Sequence, residues 1–171
     1  METYYNKLVR DNIPSPAPPV SFVVEKDPSP ASVKQFVSII EAYAGEHFTD
    51  DFADSVAIDA RYQSLCYLKN GDEIISCIMF TCLDGYPHIT AMATKRKYQN
   101  RGYGKRLLQY FIAYLTTLGF HDIELYAWSE RTRPVCSSTQ AFYRSVGFVV
   151  IKEHIGLWAH DMVTVKMRKS W

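Results

Sequence analysis

The stretch Gln99 to Arg106, Q-N-R-G-Y-G-K-R, constrains this chain more than any other, because it joins two periodicities through two glycines. Before it lies an apolar run, Ile89 to Thr94. After it, Leu107, Leu108, Phe111, Ile112, Leu115 and Leu118 keep to one face of a helix. A strand therefore turns into a helix where Gly102 and Gly104 let a ligand come close to the backbone. The unpaired N–H groups of the first helical turn, at the positive end of the helix dipole, point at that ligand. Such a turn is an anion site, best suited to phosphate.

Spacing narrows the choice of phosphate ligand. A Walker A loop has four residues between its first Gly and a Gly-Lys pair, then Ser or Thr. Here one residue separates the glycines, and Lys105 is followed by Arg106. A dinucleotide fingerprint has a third Gly where Leu107 stands. Neither reading fits.

With 171 residues the chain is long enough for one domain with a sizeable core and too short for two. A composition 47% hydrophobic and 22% charged is that of a globular protein. The net charge of +1 gives no global field toward nucleic acid or a membrane. Glu2, Lys7, Arg10 and Asp11 interrupt any leader, and the longest apolar run, Ile74 to Leu83, is about half of what spans a bilayer. The expectation is a cytoplasmic protein with no nucleic-acid or membrane partner. Cys66, Cys77, Cys82 and Cys136 have no Cys-x-x-Cys spacing, and His47, His154 and His160 share no element with metal-ligand spacing. Buried free thiols, no disulfide and no metal are expected.

Residues 1–19 begin Y-Y-N-K-L-V-R-D-N-I-P after Met1-Glu2-Thr3 and pass into a segment with Pro14, Pro16, Pro18 and Pro19. The first piece is locally similar to the start of some MazG-like pyrophosphohydrolases, but the carboxylate-rich helices those enzymes need do not follow. An extended arm is expected here, with the domain proper at 20–171. Val20 to Glu25 reads as a strand, the segment Ala31 to His47 as holding a helix with Val33, Phe36, Val37, Ile40 and Tyr43 on one side and its end at Gly45, and Asp51 to Tyr62 as holding a shorter helix. From Ser64 the period becomes two. Ser64 to Lys69, Glu73 to Leu83 and Tyr86 to Thr94 are strands joined by Asn70-Gly71 and Asp84-Gly85, both hairpin signals. The first turn, taken as two residues, pairs Cys66 with Ile75. Ile78 and Phe80 on one face, Ile75 and Met79 on the other, make a sheet covered on both sides. A helix from Lys105 to Leu118, stopped by Gly119, leads to a strand at Asp122 to Trp128, which should lie parallel and adjacent to the preceding one. A helix near Ser138 to Val146 and strands Phe148 to Glu153 and Met162 to Arg168 complete the chain.

Gln-x-x-Gly-x-Gly between a strand and a helix resembles the pyrophosphate loop of the GNAT superfamily of N-acetyltransferases. Ala141 to Phe148, A-F-Y-R-S-V-G-F, is similar to that family's later signature, an apolar residue and Tyr followed by three residues and Gly-Phe. Ile123-Glu124-Leu125 stands on the fifth strand, where several members carry a Glu. The resemblance covers Ile89 to Phe148 and implies an α/β (α+β) GNAT fold, a mixed sheet of about seven strands with helices on both faces.

It also implies roles. Acetyl-coenzyme A is the expected co-substrate, its pyrophosphate held at Gln99, Asn100, Arg101, Gly102, Tyr103, Gly104 and Lys105. Its pantetheine arm would lie against Met92, Ala93 and Thr94, where the fourth and fifth strands of this family splay apart. An amine acceptor must be neutral to attack, so a carboxylate within reach serves as base, and Glu124 is the candidate, with Asp122 able to share the role. Tyr143 matches the family's general acid for the departing thiol. Cys136 replaces the Asn that many members have seven residues before the Tyr. The basic residues Lys95, Arg96, Lys97, Arg101, Lys105 and Arg106 could serve the phosphates. The acceptor, a small-molecule or peptide amine, would meet Tyr43, His47, Phe52, Trp158 and His160. Acidic Glu46, Asp50, Asp51 and Asp54 favour a cationic one. A homodimer is compatible with all of this. The rival readings are a non-catalytic acyl-coenzyme A binding module and a nucleic-acid binder using the basic cluster.

Overall fold

The computed structural model describes residues 19–171, so the expected arm and its local resemblance lie outside the described residues but for Pro19. The elements are β1 (Ser21–Glu25), α1 (Pro30–Glu41), α2 (Phe52–Asp59), β2 (Ser64–Asn70), β3 (Glu73–Leu83), β4 (Tyr86–Thr94), α3 (Tyr103–Thr117), β5 (Asp122–Trp128), α4 (Ser137–Ser145), β6 (Val149–Ile155) and β7 (Val163–Ser170). The strands form one seven-stranded sheet in the order β1-β2-β3-β4-β5-β7-β6. Only β4 and β5 run parallel, joined through α3 as a strand–helix–strand crossover requires.

Alternation along β2 to β5 produces two cores. Leu107, Leu108 and Phe111 of α3 pack on Ile78, Ile89 and Leu125, while Phe36 and Ile40 of α1 and Val56 of α2 pack on Leu65, Met79 and Ala91. Helix α1 starts where Ser29 accepts the Ser32 N–H at 3.2 Å and Pro30 takes the first turn. It ends at Glu41, short of the stop expected at Gly45. The chain wraps into a turn closed by Gly45 N–H to the Phe48 carbonyl at 2.9 Å, with Gly45 at φ 74°, and Tyr43 is thereby turned inward.

The two hairpins differ. Asp84 and Gly85, at φ 52° and 83°, make the expected two-residue turn with Leu83 opposite Tyr86. At the first, Asn70 still pairs with Glu73, so the turn is Gly71-Asp72, and Cys66 faces Ile78 instead of Ile75. The ladder steps from Leu68 opposite Ser76 to Lys69 opposite Ile74, leaving Ile75 as an extra residue. That bulge moves Ile75 to the α3 core, away from the face of Met79. All four cysteines are free thiols; Cys66, Cys77 and Cys136 are buried, but Cys82 is exposed.

Candidate active site

A second bulge shapes the centre of the sheet. Phe80 pairs with Ile89 and Met79 with Ala91, so Thr90 is the additional residue. Its hydroxyl hydrogen-bonds Gln63 at 2.5 Å and the Met79 carbonyl at 3.1 Å. A bulge bends its strand and increases its twist. Strands β4 and β5 accordingly pair only at His88 with Glu124 and Ile89 with Leu125, then part. The rest of β4 continues against β3 alone, with a bare edge toward the gap.

The phase of the β3–β4 ladder tells which peptide groups line that gap. Lys95 N–H bonds the Ile75 carbonyl at 2.9 Å, and alternation along an antiparallel pair then turns Ala91 and Ala93 toward β3 and Met92 and Thr94 toward the gap. The Tyr43 hydroxyl takes the Thr94 carbonyl. Both groups of Met92 and the N–H of Thr94 remain. Ala93, expected beside them, gives its peptide group to the ladder.

At the end of the gap, Asn100 at φ 56° and Gly102 at φ 80° turn the chain into α3. The first helical bond runs from Arg106 N–H to the Gly102 carbonyl at 3.0 Å. The main-chain N–H groups of Asn100 to Lys105 find no acceptor among the described residues. Gly104 serves packing: a Cβ there would stand 3.4 Å from Thr94 Oγ1, 3.6 Å from Met92 Cε and 3.6 Å from Phe142 Cζ. Tyr103 is buried edge-on against Tyr98, so it offers its amide alone, while Gln99 is exposed.

Half of the basic cluster is already paired. Lys95 and Lys97 each meet Glu73 at 2.8 Å, and Tyr98 donates to the same carboxylate, holding it down at about 2. Arg96 meets Glu46 at 2.6 Å and the Ala42 carbonyl. Lys95 and Lys97 tie the turn before the loop to β3, and Arg96 joins it to the α1–α2 segment; Arg101, Lys105 and Arg106 are left for an anion.

Tyr143 of α4 is 7% exposed, wedged between the rings of Phe142 and Phe148, and burial raises its phenol well above the ordinary value. Cys136, seven residues earlier, is buried, and that burial raises its thiol. Glu124 is 2% exposed on the face away from α3. Lys166 Nζ lies 2.7 Å from its carboxylate and Arg168 Nε 2.9 Å, both from neighbouring β7. Burial opposes the charge, yet these hydrogen bonds and charges prevail and hold the carboxyl below its usual range. A carboxylate so placed is a weak proton acceptor.

The sequence reading passed over His88. It is 4% exposed, faces the same side as Glu124 across the first of the two paired rungs, and its ring lies 5.2 Å from that of Tyr126. The signal was a lone histidine in an otherwise apolar run. Beyond Tyr126 come Trp158, half exposed, and Trp128, edge-on to each other at 4.8 Å, with Arg133 over Trp128. Arg133 also donates to the Glu46 carbonyl, and Thr139 contacts His47 at 3.4 Å, so the turn after α1 roofs the gap. Phe52 stacks on Phe48 inside that roof, and exposed His160 pairs with Asp161. Among the described residues no cluster of metal-ligating side chains forms, and no helix is long and apolar enough to cross a membrane.

A mixed sheet parted between two parallel strands, with a string of free amides at the parting, defines a class of acyl-transfer protein. The family model for the GNAT acetyltransferase domain matches residues 60–150, and the chain belongs to that family and is an acyltransferase. A protein from Desulfovibrio desulfuricans assigned to the GNAT family superposes with a TM-score of 0.74 at 15% identity, over 89% of this chain and 99% of its own. An aminoglycoside 6'-N-acetyltransferase complexed with coenzyme A gives 0.68 at 13%, over 86% and 96%. The ribosomal-protein-S18-alanine N-acetyltransferase from Escherichia coli gives 0.66 at 14%, over 88% and 94%. At these identities the likeness is one of fold. Among curated proteins the sequence finds no match.

Proposed function

We propose that the protein transfers acetyl from acetyl-coenzyme A to a primary amine by direct attack in a ternary complex. The observation that carries this reading is the gap between β4 and β5, ending at six consecutive N–H donors from Asn100 to Lys105 that lack acceptors among the described residues. Donors in such a row suit a pyrophosphate, and the outward groups of Met92 and Thr94 suit the amides of a pantetheine arm. Arg101 and Lys105 add positive charge there. Bound acetyl-coenzyme A supplies an acetyl group already activated as a thioester. Tyr143, protonated at neutral pH because it is buried, donates its proton to the departing thiolate. The roof of Tyr43 and His47 and the wall of Trp158 border the acceptor, and Asp50, Asp51 and Asp54, exposed beside them, favour one that arrives positively charged. Glu46 is occupied by Arg96 and adds little to that field.

Initial rates of thiol release, measured against acetyl-coenzyme A at several fixed concentrations of a reactive amine, test the order of events. A ternary complex gives intersecting reciprocal lines. Parallel lines would mean an acetylated enzyme and would remove direct attack.

A further inference from the structure

We propose that His88, rather than Glu124, is the proton acceptor for the incoming amine; the inference rests on the acetyltransferase reading above. His88 pairs with Glu124 one rung before β4 and β5 part, which they do after Ile89 and Leu125, and it stands two residues before the Thr90 bulge that drives them apart. Its side chain points to the face roofed by the α1–α2 turn, not the face of α3, as the opposite orientation of neighbouring Ile89 shows. With Glu124 across the rung and Tyr126 beside it, it is therefore a titratable side chain next to the closed end of the gap on the acceptor side.

The groups around it fit that task. Glu124 and Tyr126 face it from β5, Lys166 and Arg168 stand on β7 beyond them, His154 lies past Tyr126, and its β3 neighbour Thr81 is uncharged. Burial disfavours the imidazolium, Glu124 favours it, and Lys166 again disfavours it; the net effect is a histidine below its ordinary value. The ring is thus neutral in neutral solution, ready to accept a proton, and the carboxylate across the rung stabilises the cation once formed. Glu124, with its two β7 cations, is a positioning residue.

The step balances without further reagents. An alkylammonium loses one N–H proton to a ring nitrogen of His88, directly or through one water, leaving a neutral amine with a free electron pair and an imidazolium. The imidazolium returns the proton to solvent after transfer.

The test uses the full chain and two readouts. In the free protein, the NMR titration of His88 should show a neutral ring at pH 7; a ring charged at pH 7 overturns the proposal whatever the kinetics. In the enzyme, His88→Gln should lower kcat by at least about 100-fold at pH 7 and abolish the acidic limb of the kcat profile. The deficit should shrink at high pH, where the amine is already neutral, and the thermal shift given by acetyl-coenzyme A should stay unchanged. A His88→Gln enzyme with wild-type kcat and an intact acidic limb overturns the histidine alone. A wild-type chain that neither gains stability from acetyl-coenzyme A nor releases thiol with any amine overturns the underlying reading, and with it the proposal. Should His88→Gln not fold, the wild-type titration decides.

Discussion

Gly102 combines φ 80° with open space where a Cβ would be, so its substitution acts through backbone strain and not through a clash. Gly102→Ala should cost about 1 kcal/mol in denaturant unfolding, since a left-handed residue with a side chain is disfavoured by about that much. It should also weaken acetyl-coenzyme A binding, because the amides around it lose their common direction. Tyr143→Phe keeps the ring contacts with Phe142 and Phe148 and removes one proton donor. Its kcat should fall by about 100-fold, with cofactor affinity nearly intact; unchanged turnover removes Tyr143 from the chemistry. Glu124 has a depressed folded pKa, so its ion pairs stabilise in full above its unfolded value near 4.3 and lose that contribution as pH falls below it. Glu124→Gln should therefore destabilise by about 1–3 kcal/mol at pH 7, and the gap to wild type in urea unfolding should narrow at pH 3.5. A gap of constant size would mean that packing, not charge, is what Glu124 contributes.

The strands β3, β4 and β5 have the bounds expected from alternation, because period two is a strong local signal and Asp84-Gly85 fixes one register. What the sequence did not reveal were the bulges at Ile75 and Thr90. A bulge is one residue out of phase, and β-branched Ile or Thr carries no local mark of it; the tertiary demand that β4 leave β5 creates the second. The end of α1 was misplaced for a similar reason, since Tyr43 keeps helical spacing yet is needed as a donor to the Thr94 carbonyl. The turn it begins is pinned by Arg96 to the Ala42 carbonyl and Glu46, and by Arg133 to the Glu46 carbonyl. Arg96→Ala should free this roof and raise KM for the acceptor several-fold while leaving KM for acetyl-coenzyme A within about twofold. An equal rise in both would place Arg96 with the phosphates instead.

For the whole molecule, the strand–glycine–helix motif and the order of elements sufficed to anticipate the mixed sheet, the parallel β4–β5 pair and the layers on both faces. The geometry of the candidate site was legible only where it lies in the backbone. Side-chain roles depend on what comes from afar: Lys166 and Arg168 occupy alternate positions on β7, and nothing near Glu124 in sequence announces that they will claim it. His88 became visible only once it was seen to stand opposite Glu124, one rung before the parting. In the function proposed above, this gap and its free amides hold acetyl-coenzyme A. Thermal unfolding of the full chain with and without that ligand tests it most directly. At about 100 times the dissociation constant, binding to the folded state alone adds about 2.7 kcal/mol, or roughly 5–10 °C in Tm for a chain of this size. No shift at millimolar acetyl-coenzyme A, with the chain folded, would contradict it.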